Sequence, residues 1–563
     1  YMFRETYYTT NPATNGGYRD DFLTVEASAD NGTFTAVSPE FHRYGNNNDW
    51  VLCEVPLYAM AGCSRVQVAF TGNGFGGGPM YIDNVRIIER AAFDLQAVSL
   101  SGPARVRIGE HGAFVLSVKN AGGAETADYN IELYKDGTKV LTENGMSVKP
   151  GQTVSISFDY VPEAGEEGQK SVFTAKVAFD KDLDMSNNES NSVESDITAA
   201  LLPAVTGLKA VNNEGIVELN WGKADYLPAA TLVEQDGFES YEPFVIDTFG
   251  DFTCYDLDKR VTFGIGAAAG VTYPNSGEKM AFQVFAPALT NIDESELRLW
   301  APHDGSNMLV APQASAAGDV TSSNDWLVFP RLSGNAHVIK LFARSLSDTY
   351  SEFVQGFYAT TANPTDPDDF MPCPDGGDIS YAVPVAWTEL SYSVPAGAKF
   401  FALRHVSADG YALMVDDVTY QRSIPDATAI GLSGYNIYCN GTKVNDAPVD
   451  ASTRSFTHRP STAGEQSYTV TAVYPDGEST PCDAASVIVD TTGLENLDTE
   501  AYTVSINGLQ ISVEGSEKLH VALLSPAGQT VASKYAATCT VEAPAPGIYI
   551  LTVGTRAIKI VLR

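Results

Sequence analysis

The chain has 563 residues, enough for about four domains of ordinary size. Asp and Glu number 70 against 35 Lys and Arg, a net charge of −35 whose field repels nucleic acid and anionic lipid. No run reaches the roughly 18 apolar residues of a membrane span, and 48 Gly with 27 Tyr and 26 Phe suit short strands joined by tight turns, so the expected fold class is all-β. The acid excess fits a solvated secreted surface with local acidic clusters open to cations. Tyr1-Met2-Phe3-Arg4 runs straight into strand-like sequence with no signal peptide, which reads as a mature fragment.

The first segment, 1–90, holds one copy of a motif written twice. Trp50 leads through Val66-Gln67-Val68-Ala69-Phe70 to Met80-Tyr81-Ile82-Asp83-Asn84-Val85. Trp387 leads in the same way through Phe400-Phe401-Ala402-Leu403-Arg404 to Met414-Val415-Asp416-Asp417-Val418. Both alternate like half-buried strands, and duplication suggests an array of surface modules. The first copy lacks the long run that precedes Trp387. It is expected to be half a sandwich, completed by an upstream fragment or another polypeptide, because half a sandwich exposes sheet edges and an apolar face.

From 91 to 200 the texture changes. Ala113 to Asn120 is a strand ending in the Gly122-Gly123 turn, and Asn130 to Lys135 enters a hairpin at Asp136-Gly137. Ala175 to Phe179 is a further strand, followed by an acidic, amide-rich stretch. The order of these phrases resembles a CARDB domain, which implies an immunoglobulin-like spacer sandwich. Asp182, Asp184, Asn187 and Asn188 offer oxygen ligands for Ca²⁺, yet the EF-hand glycine and closing Glu are absent, and a solvated strand-end loop is the simpler reading.

Pro203 to Ala210 and Val217-Glu218-Leu219-Asn220-Trp221 resemble the first two strands of a fibronectin type III domain, with Trp221 as its core residue. The continuation, Leu432 to Tyr438, the Asn440-Gly441 turn and Tyr468 to Tyr474, comes only much later. Segments 201–223 and 425–490 make one domain if 224–424 is an insertion, which slow growth of loop-closure entropy permits.

Within the insert come Gly237-Phe238-Glu239, a turn with Asp256 and Asp258, Asn324-Asp325-Trp326-Leu327 with Pro330, Trp387, Pro395-Ala396-Gly397, and Val415-Asp416-Asp417-Val418. Their order is similar to the cleaved-adhesin, or choice-of-anchor J, family of gingipain and haemagglutinin proteins. That resemblance implies a jelly-roll sandwich that binds Ca²⁺. The last segment, 491–563, has a hairpin at Asn507-Gly508 and closes on Gly547-Ile548-Tyr549 and Ile558 to Leu562. It resembles the C-terminal sorting domain of type IX secretion cargo, implying export and attachment at the outer membrane. The expected architecture is therefore tandem β-sandwiches, jelly-roll and immunoglobulin-like, with one jelly roll inserted in a fibronectin type III-like domain.

Catalytic patterns are thin. The seven histidines are scattered without HExxH spacing, and Gly74 to Gly78 is not followed by the Lys-Ser/Thr of a phosphate loop. The seven cysteines include no CxxC pair, so zinc is disfavoured; Cys53 with Cys63 and Cys439 with Cys482 are open to oxidation or are simply buried thiols. Hard-cation binding is the better chemistry. Glu239 opens the insert and Asp416 and Asp417 close it, so adjacent first and last strands bring them together, while Asp256 and Asp258 at i, i+2 share one face. One structural Ca²⁺ is expected there. Asp366, Asp368, Asp369, Asp375 and Asp378 form a second acidic stretch whose Pro and Gly favour a solvated loop. Recognition of a sugar or protein would use exposed aromatics; Trp300, Trp326, Tyr350 and Tyr381 are in the insert, Trp326 and Trp387 lie inside strand motifs where core packing is the default, and no pattern selects a recognition patch.

The expectation is a secreted or cell-surface, non-catalytic, adhesin-like protein that binds a host protein or glycan. The alternatives are the C-terminal accessory region of a secreted peptidase with its catalytic domain upstream, and an array of carbohydrate-binding modules.

Overall fold

The computed structural model describes all residues except 1, 4, 7–21, 43, 46–49, 52, 61, 75–78, 88–90, 265–270, 293–296, 317–321, 490–501 and 563. The glycine-rich run at 75–78, Leu52 in the first motif copy and the module start at Gly493 lie outside the described residues. The protein is all-β, a series of β-sandwich modules with short 3₁₀ turns between some of the described strands. Two compact units emerge, Tyr1–Leu201 with Pro228–Ile424, and Leu202–Leu227 with Pro425–Arg563.

In the first unit, strand Phe22–Ala29 pairs antiparallel with Val66–Asn73 along its whole length. Met2–Phe3 lies between Trp50–Val51 and Tyr81–Ile82. The core here is small, with Met2, Leu23 and Val25 as its buried members. The next sandwich is richer. Leu95–Ser101, Gly112–Asn120 and Thr153–Tyr160 form one sheet, and Gln169–Ala178 is central to the other. Residues alternating along Gln169–Ala178 point inward, and Phe173 stacks on Phe114 from the facing sheet at 4.2 Å between ring centres. The Asp136-Gly137 turn has φ of 49° and 77°, the mirror-image geometry that matches strand twist and that glycine tolerates without a Cβ clash.

The insert folds as two facing sheets. One orders Gln283–Phe285, Met308–Pro312, Ala412–Gln421, His337–Ser345 and Thr388–Val394, with Val233–Asp236 also on Ala412–Gln421. The other orders Thr248–Phe249, Phe252–Asp256, Asp325–Val328, Phe400–His405 and Phe353–Ala359. Phe238, Phe252, Phe282, Phe329 and Phe401 are wholly buried between them. The insert meets the preceding sandwich through charge: Arg107, only 7% exposed in its side chain, pairs with Glu234, and Arg422 reaches Glu110 at 3.0 Å.

In the second unit, Ile216–Asn220 pairs with Ser455–His458 across the whole intervening insert. Trp221 packs edge-on to Tyr435 with ring centres 5.4 Å apart. Ala224–Tyr226 pairs back onto Ala204–Val205, so those residues stay with this unit and the insert starts at Pro228 rather than at Ala224. Tyr502–Asn507 and Gln510–Leu524 form the hairpin at Gly508, followed by Thr530–Glu542, Gly547–Val553 and Arg556–Leu562. No described helix is long and apolar enough to cross a membrane. No disulfide is formed among the described residues: the Cys439 thiol donates to Gln466 and the Cys482 sulfur accepts from the Val470 amide.

Candidate metal centre

Pairing of Val233–Asp236 with Ala412–Gln421, Asp236 opposite Val418, brings the two ends of the insert together. The chain then turns sharply. Phe238 takes a left-handed φ of 63°, a conformation costing about 1–2 kcal/mol for a non-glycine residue. Its ring offsets this by lying fully buried against Phe249 and Phe252. The turn aims Glu239 at the loop 303–307, where its Oε1 accepts the amides of Ser306 and Asn307, both at 2.8 Å. Gly305 is required there, because a Cβ on it would lie 2.2 Å from that carboxylate oxygen.

Asp416 holds the same loop from the other strand, its Oδ2 accepting the amides of His303 at 2.8 Å and Asp304 at 3.4 Å. Asp417, at φ 45°, meets His303 Nδ1 at 2.5 Å. Gly237 lies against both aspartates; a Cβ there would be 3.1 Å from Asp417 Oδ1 and 3.9 Å from Asp416 Oδ1. Burial, with Asp304 and Asp417 nearby, pushes the Glu239 carboxyl up to about 8. Burial and the adjacent Asp417 push Asp416 up to about 9. A cation beside such carboxyls would favour their ionised form, and carboxylate oxygens are the ligands that a hard cation takes. The neighbouring sandwich reaches the same turn, Ser101 Oγ donating to the Glu239 carbonyl at 2.7 Å.

Asp256 and Asp258 do not join this group. They lie at the end of Phe252–Asp256 on the opposite sheet, because Asp256 pairs across strands with Asp325. One carboxylate oxygen each from Asp256, Asp258 and Asp325 fall within 4.8 Å of one another. The five expected ligands therefore split between two places, the second of them completed by a residue not singled out as a ligand from the sequence. Asp325 is 2% exposed, its Oδ1 has no hydrogen-bond partner, and burial pushes its carboxyl up to about 7. Arg260 lies 3.4 Å from Asp258 and is that carboxylate's own counter-charge. Behind Asp325 sits His405, fully buried, 3.4 Å from Asp325 and 2.8 Å from the equally buried Glu352. Burial alone depresses an imidazole, but hydrogen bonds to Asp325 and Glu352 overcome it and hold His405 up at about 9.

Several carboxylates of the other acidic stretches accept hydrogen bonds from the protein's own backbone. Asp366 and Asp369 cap a single 3₁₀ turn, and Asp375 accepts the Ser393 amide. Asp182 takes the amides of Leu95 and Asp184.

The aromatics separate by burial: Trp300 and Trp326 are 5% and 4% exposed, whereas Tyr350 and Tyr381 are nearly half exposed. A cavity of about 260 Å³ opens beside Trp326 on the outer face of the second sheet, lined by Leu257, Asn324, Phe357, Asp368 and Arg404. Arg404 lies 5.4 Å above the Trp326 ring and donates to Asn324 at 2.8 Å and to Gln355 at 3.1 Å. Arg404 falls within the repeated motif, but nothing in local pattern marks it as a binding residue, and nothing marks Gln355 or loop 303–307. Asp325 did carry a signal, a carboxylate directly before the apolar run Trp326-Leu327-Val328-Phe329.

Residues 92–195 match the CARDB family model. Over 401 residues the chain is 25% identical to Lys-gingipain W83 of Porphyromonas gingivalis, covering 70% of this chain and 20% of that protein, so it spans about a fifth of that relative's length. Among solved structures it is similar to the K1 cleaved adhesin domain of Lys-gingipain from P. gingivalis W83, at 15% identity and TM-score 0.24, covering 34% of this chain and 98% of that one. It is also similar to a CARDB domain of Pyrococcus furiosus solved in complex with di-metal ions, at 20% identity and TM-score 0.17, covering 20% of this chain and all of that one.

Proposed function

We propose that the chain is a secreted or cell-surface, non-catalytic, adhesin-like protein whose insert, structured by Ca²⁺, binds a glycan in the groove at Arg404. The observation that carries the reading is the groove's chemistry. Arg404, Asn324 and Gln355 are planar polar groups joined by hydrogen bonds, and the ring of Trp326 supports the guanidinium from beneath. Such groups present several fixed donors and acceptors beside apolar surface from Leu257 and Phe357, which suits a sugar ring with its hydroxyl rim and C–H faces. Trp326 itself is too buried to stack on a ligand, so the polar groups make the contact.

Two carboxylate groups on opposite sheets support the Ca²⁺ part of the reading, Glu239 with Asp416 and Asp417, and Asp256 with Asp258 and Asp325. The likeness to a gingipain supports an adhesive role outside the cell, and the final sandwich would serve export and surface attachment. Glycan-array binding of the full chain, repeated with Arg404→Ala, tests the glycan assignment. A glycan bound by the wild type and weakened at least tenfold in the variant is expected. Binding indifferent to Arg404, or no glycan bound while a host protein is, would reject it. The same 25% identity supports a second reading, an accessory region of a secreted peptidase whose catalytic domain lies upstream, which the upstream coding sequence decides.

A further inference from the structure

Three connections of the insert cross from one sheet to the other at the same end of the sandwich. Residues 346–352 join His337–Ser345 to Phe353–Ala359, residues 383–387 join Tyr381–Ala382 to Thr388–Val394, and residues 406–411 join Phe400–His405 to Ala412–Gln421. Their backbones meet, the Ser345 amide donating to the Pro384 carbonyl and the Leu346 amide to that of Ala412. Three wholly buried polar side chains, Ser345, Glu352 and Ser407, tie them further. Ser345 Oγ donates to the Val383 carbonyl at 2.7 Å and accepts the Glu352 amide at 2.9 Å. Ser407 Oγ accepts the Phe353 amide at 2.7 Å, and the Glu352 carboxylate accepts the Tyr411 amide while meeting His405 at 2.8 Å. Gly410 is required beside this hub, since a Cβ on it would lie 2.4 Å from Glu352 Oε2. Gln355 fixes the approach to Tyr381 by donating to the Asp378 carbonyl at 2.7 Å. Hydrogen bonds between groups so buried hold the three connections in place before any ligand arrives.

Each connection carries or adjoins an exposed tyrosine: Tyr350, Tyr381 and Tyr411 are between 41% and 46% exposed. Short polar residues accompany them, Ser347 and Thr349 in the first connection and Ser380 beside Tyr381. Loops on a rigid scaffold are where recognition residues collect, and tyrosine among short polar residues offers a large contact area at low entropic cost. The charge of these stretches has one sign. Residues 346–351, 378–386 and 406–411 contain no Lys or Arg, whereas Asp348, Asp378 and Asp409 are all exposed. Two arginines border this end and are turned to other partners, Arg344 lying 5.7 Å over the Trp387 ring and Arg260 pairing with Asp258. The surface is therefore both aromatic and acidic.

The geometry points to this end of the insert as a protein-docking surface that takes a basic segment, its Lys and Arg side chains set against Tyr350, Tyr381 and Tyr411 and paired with Asp348, Asp378 and Asp409. Ring faces attract cations, and complementary charge selects such a segment over an acidic one. Fixed loops lower the cost of ordering the surface on binding. The proposal rests on neither the glycan assignment nor Ca²⁺.

The test is a synthetic random-peptide array probed with the full chain and with two triple variants, one carrying Tyr350→Ala, Tyr381→Ala and Tyr411→Ala, the other Asp348→Asn, Asp378→Asn and Asp409→Asn. The wild type is expected to select peptides rich in Lys and Arg, and each variant to bind those peptides about tenfold more weakly or worse. The tyrosine variant keeps the net charge of −35, so it separates docking from attraction to an acidic chain as a whole. The aspartate variant keeps the side-chain shapes, so a loss there is a loss of charge. Basic peptides held equally by either variant would overturn the proposal, as would selection of neutral or acidic peptides, or of none. A glycan whose binding falls in the tyrosine variant while peptide binding does not would overturn it too, by assigning the surface to sugar.

Discussion

Glu239 and Asp416 grip one loop from two sides: Glu239 takes the amides of Ser306 and Asn307, and Asp416 those of His303 and Asp304. The first strand of the insert, its last strand and the loop between are thus tied at one point through buried carboxylates. A cation bound there acts on the closure of the whole sandwich.

Added Ca²⁺ is therefore expected to raise the melting temperature of the first unit, since a ligand at about 100 times its Kd adds about 2.7 kcal/mol. Asp416→Asn should remove most of the effect, whereas Asp375→Asn should leave it. Calorimetry with Ca²⁺ and with chelator measures both, and an identical melting temperature in the two would count against the site.

Gly305→Ala is expected to destabilise the insert by about 1–3 kcal/mol and to weaken Ca²⁺ binding, because the new methyl collides with Glu239 and the residue is held at φ 67°. Gly334→Ala is the comparison. It has a similar φ of 82° with only the Lys399 ammonium nearby, so it should lose about 1–2 kcal/mol from backbone strain alone and bind Ca²⁺ normally. Denaturant unfolding with Ca²⁺ titration separates the two.

His405→Leu leaves Glu352 buried without its counter-charge and should destabilise the insert by about 3–5 kcal/mol. Adding Glu352→Gln should recover part of the loss, since the stranded charge is then gone. A double variant no more stable than His405→Leu would show that lost packing, not charge, dominates.

The pH response of the CARDB-like sandwich should turn on Glu166. Burial raises this carboxyl, but hydrogen bonds from Lys135 and Tyr160 outweigh it and hold the group below the usual glutamate range. A depressed carboxyl contributes stability that is complete above its unfolded value and is lost as pH falls through its folded value. Glu166→Gln should thus melt lower than wild type at neutral pH, with the gap closing below the ordinary glutamate range. A gap constant from neutral pH into strong acid would contradict this.

The motif Gly237-Phe238-Glu239 and the pair Asp416-Asp417 were legible as one site because each flanks a strand of plain alternation, and first and last strands of a sandwich commonly meet. Gln169–Ala178 and the turns at Asp136-Gly137 and Asn507-Gly508 were legible for the same reason: period-two burial and left-handed turn residues are local properties. The destination of Asp256 and Asp258 was not. Their spacing showed a shared face but not which sheet that face belonged to, and pairing with Asp325 carried them away from Glu239.

By itself, then, the sequence determined that the chain is all-β and modular, that one motif is written twice, and which carboxylates flank the insert's strands, because side-chain periodicity and turn chemistry act over a few residues. The tertiary structure alone decided that Asp325 and His405 share a buried line with Glu352, that backbone amides of loop 303–307 meet Glu239 and Asp416, and that Val66–Asn73 pairs with Phe22–Ala29. Those facts depend on strand register and on contacts between distant segments, where a shift of one residue would send every side chain to the other face.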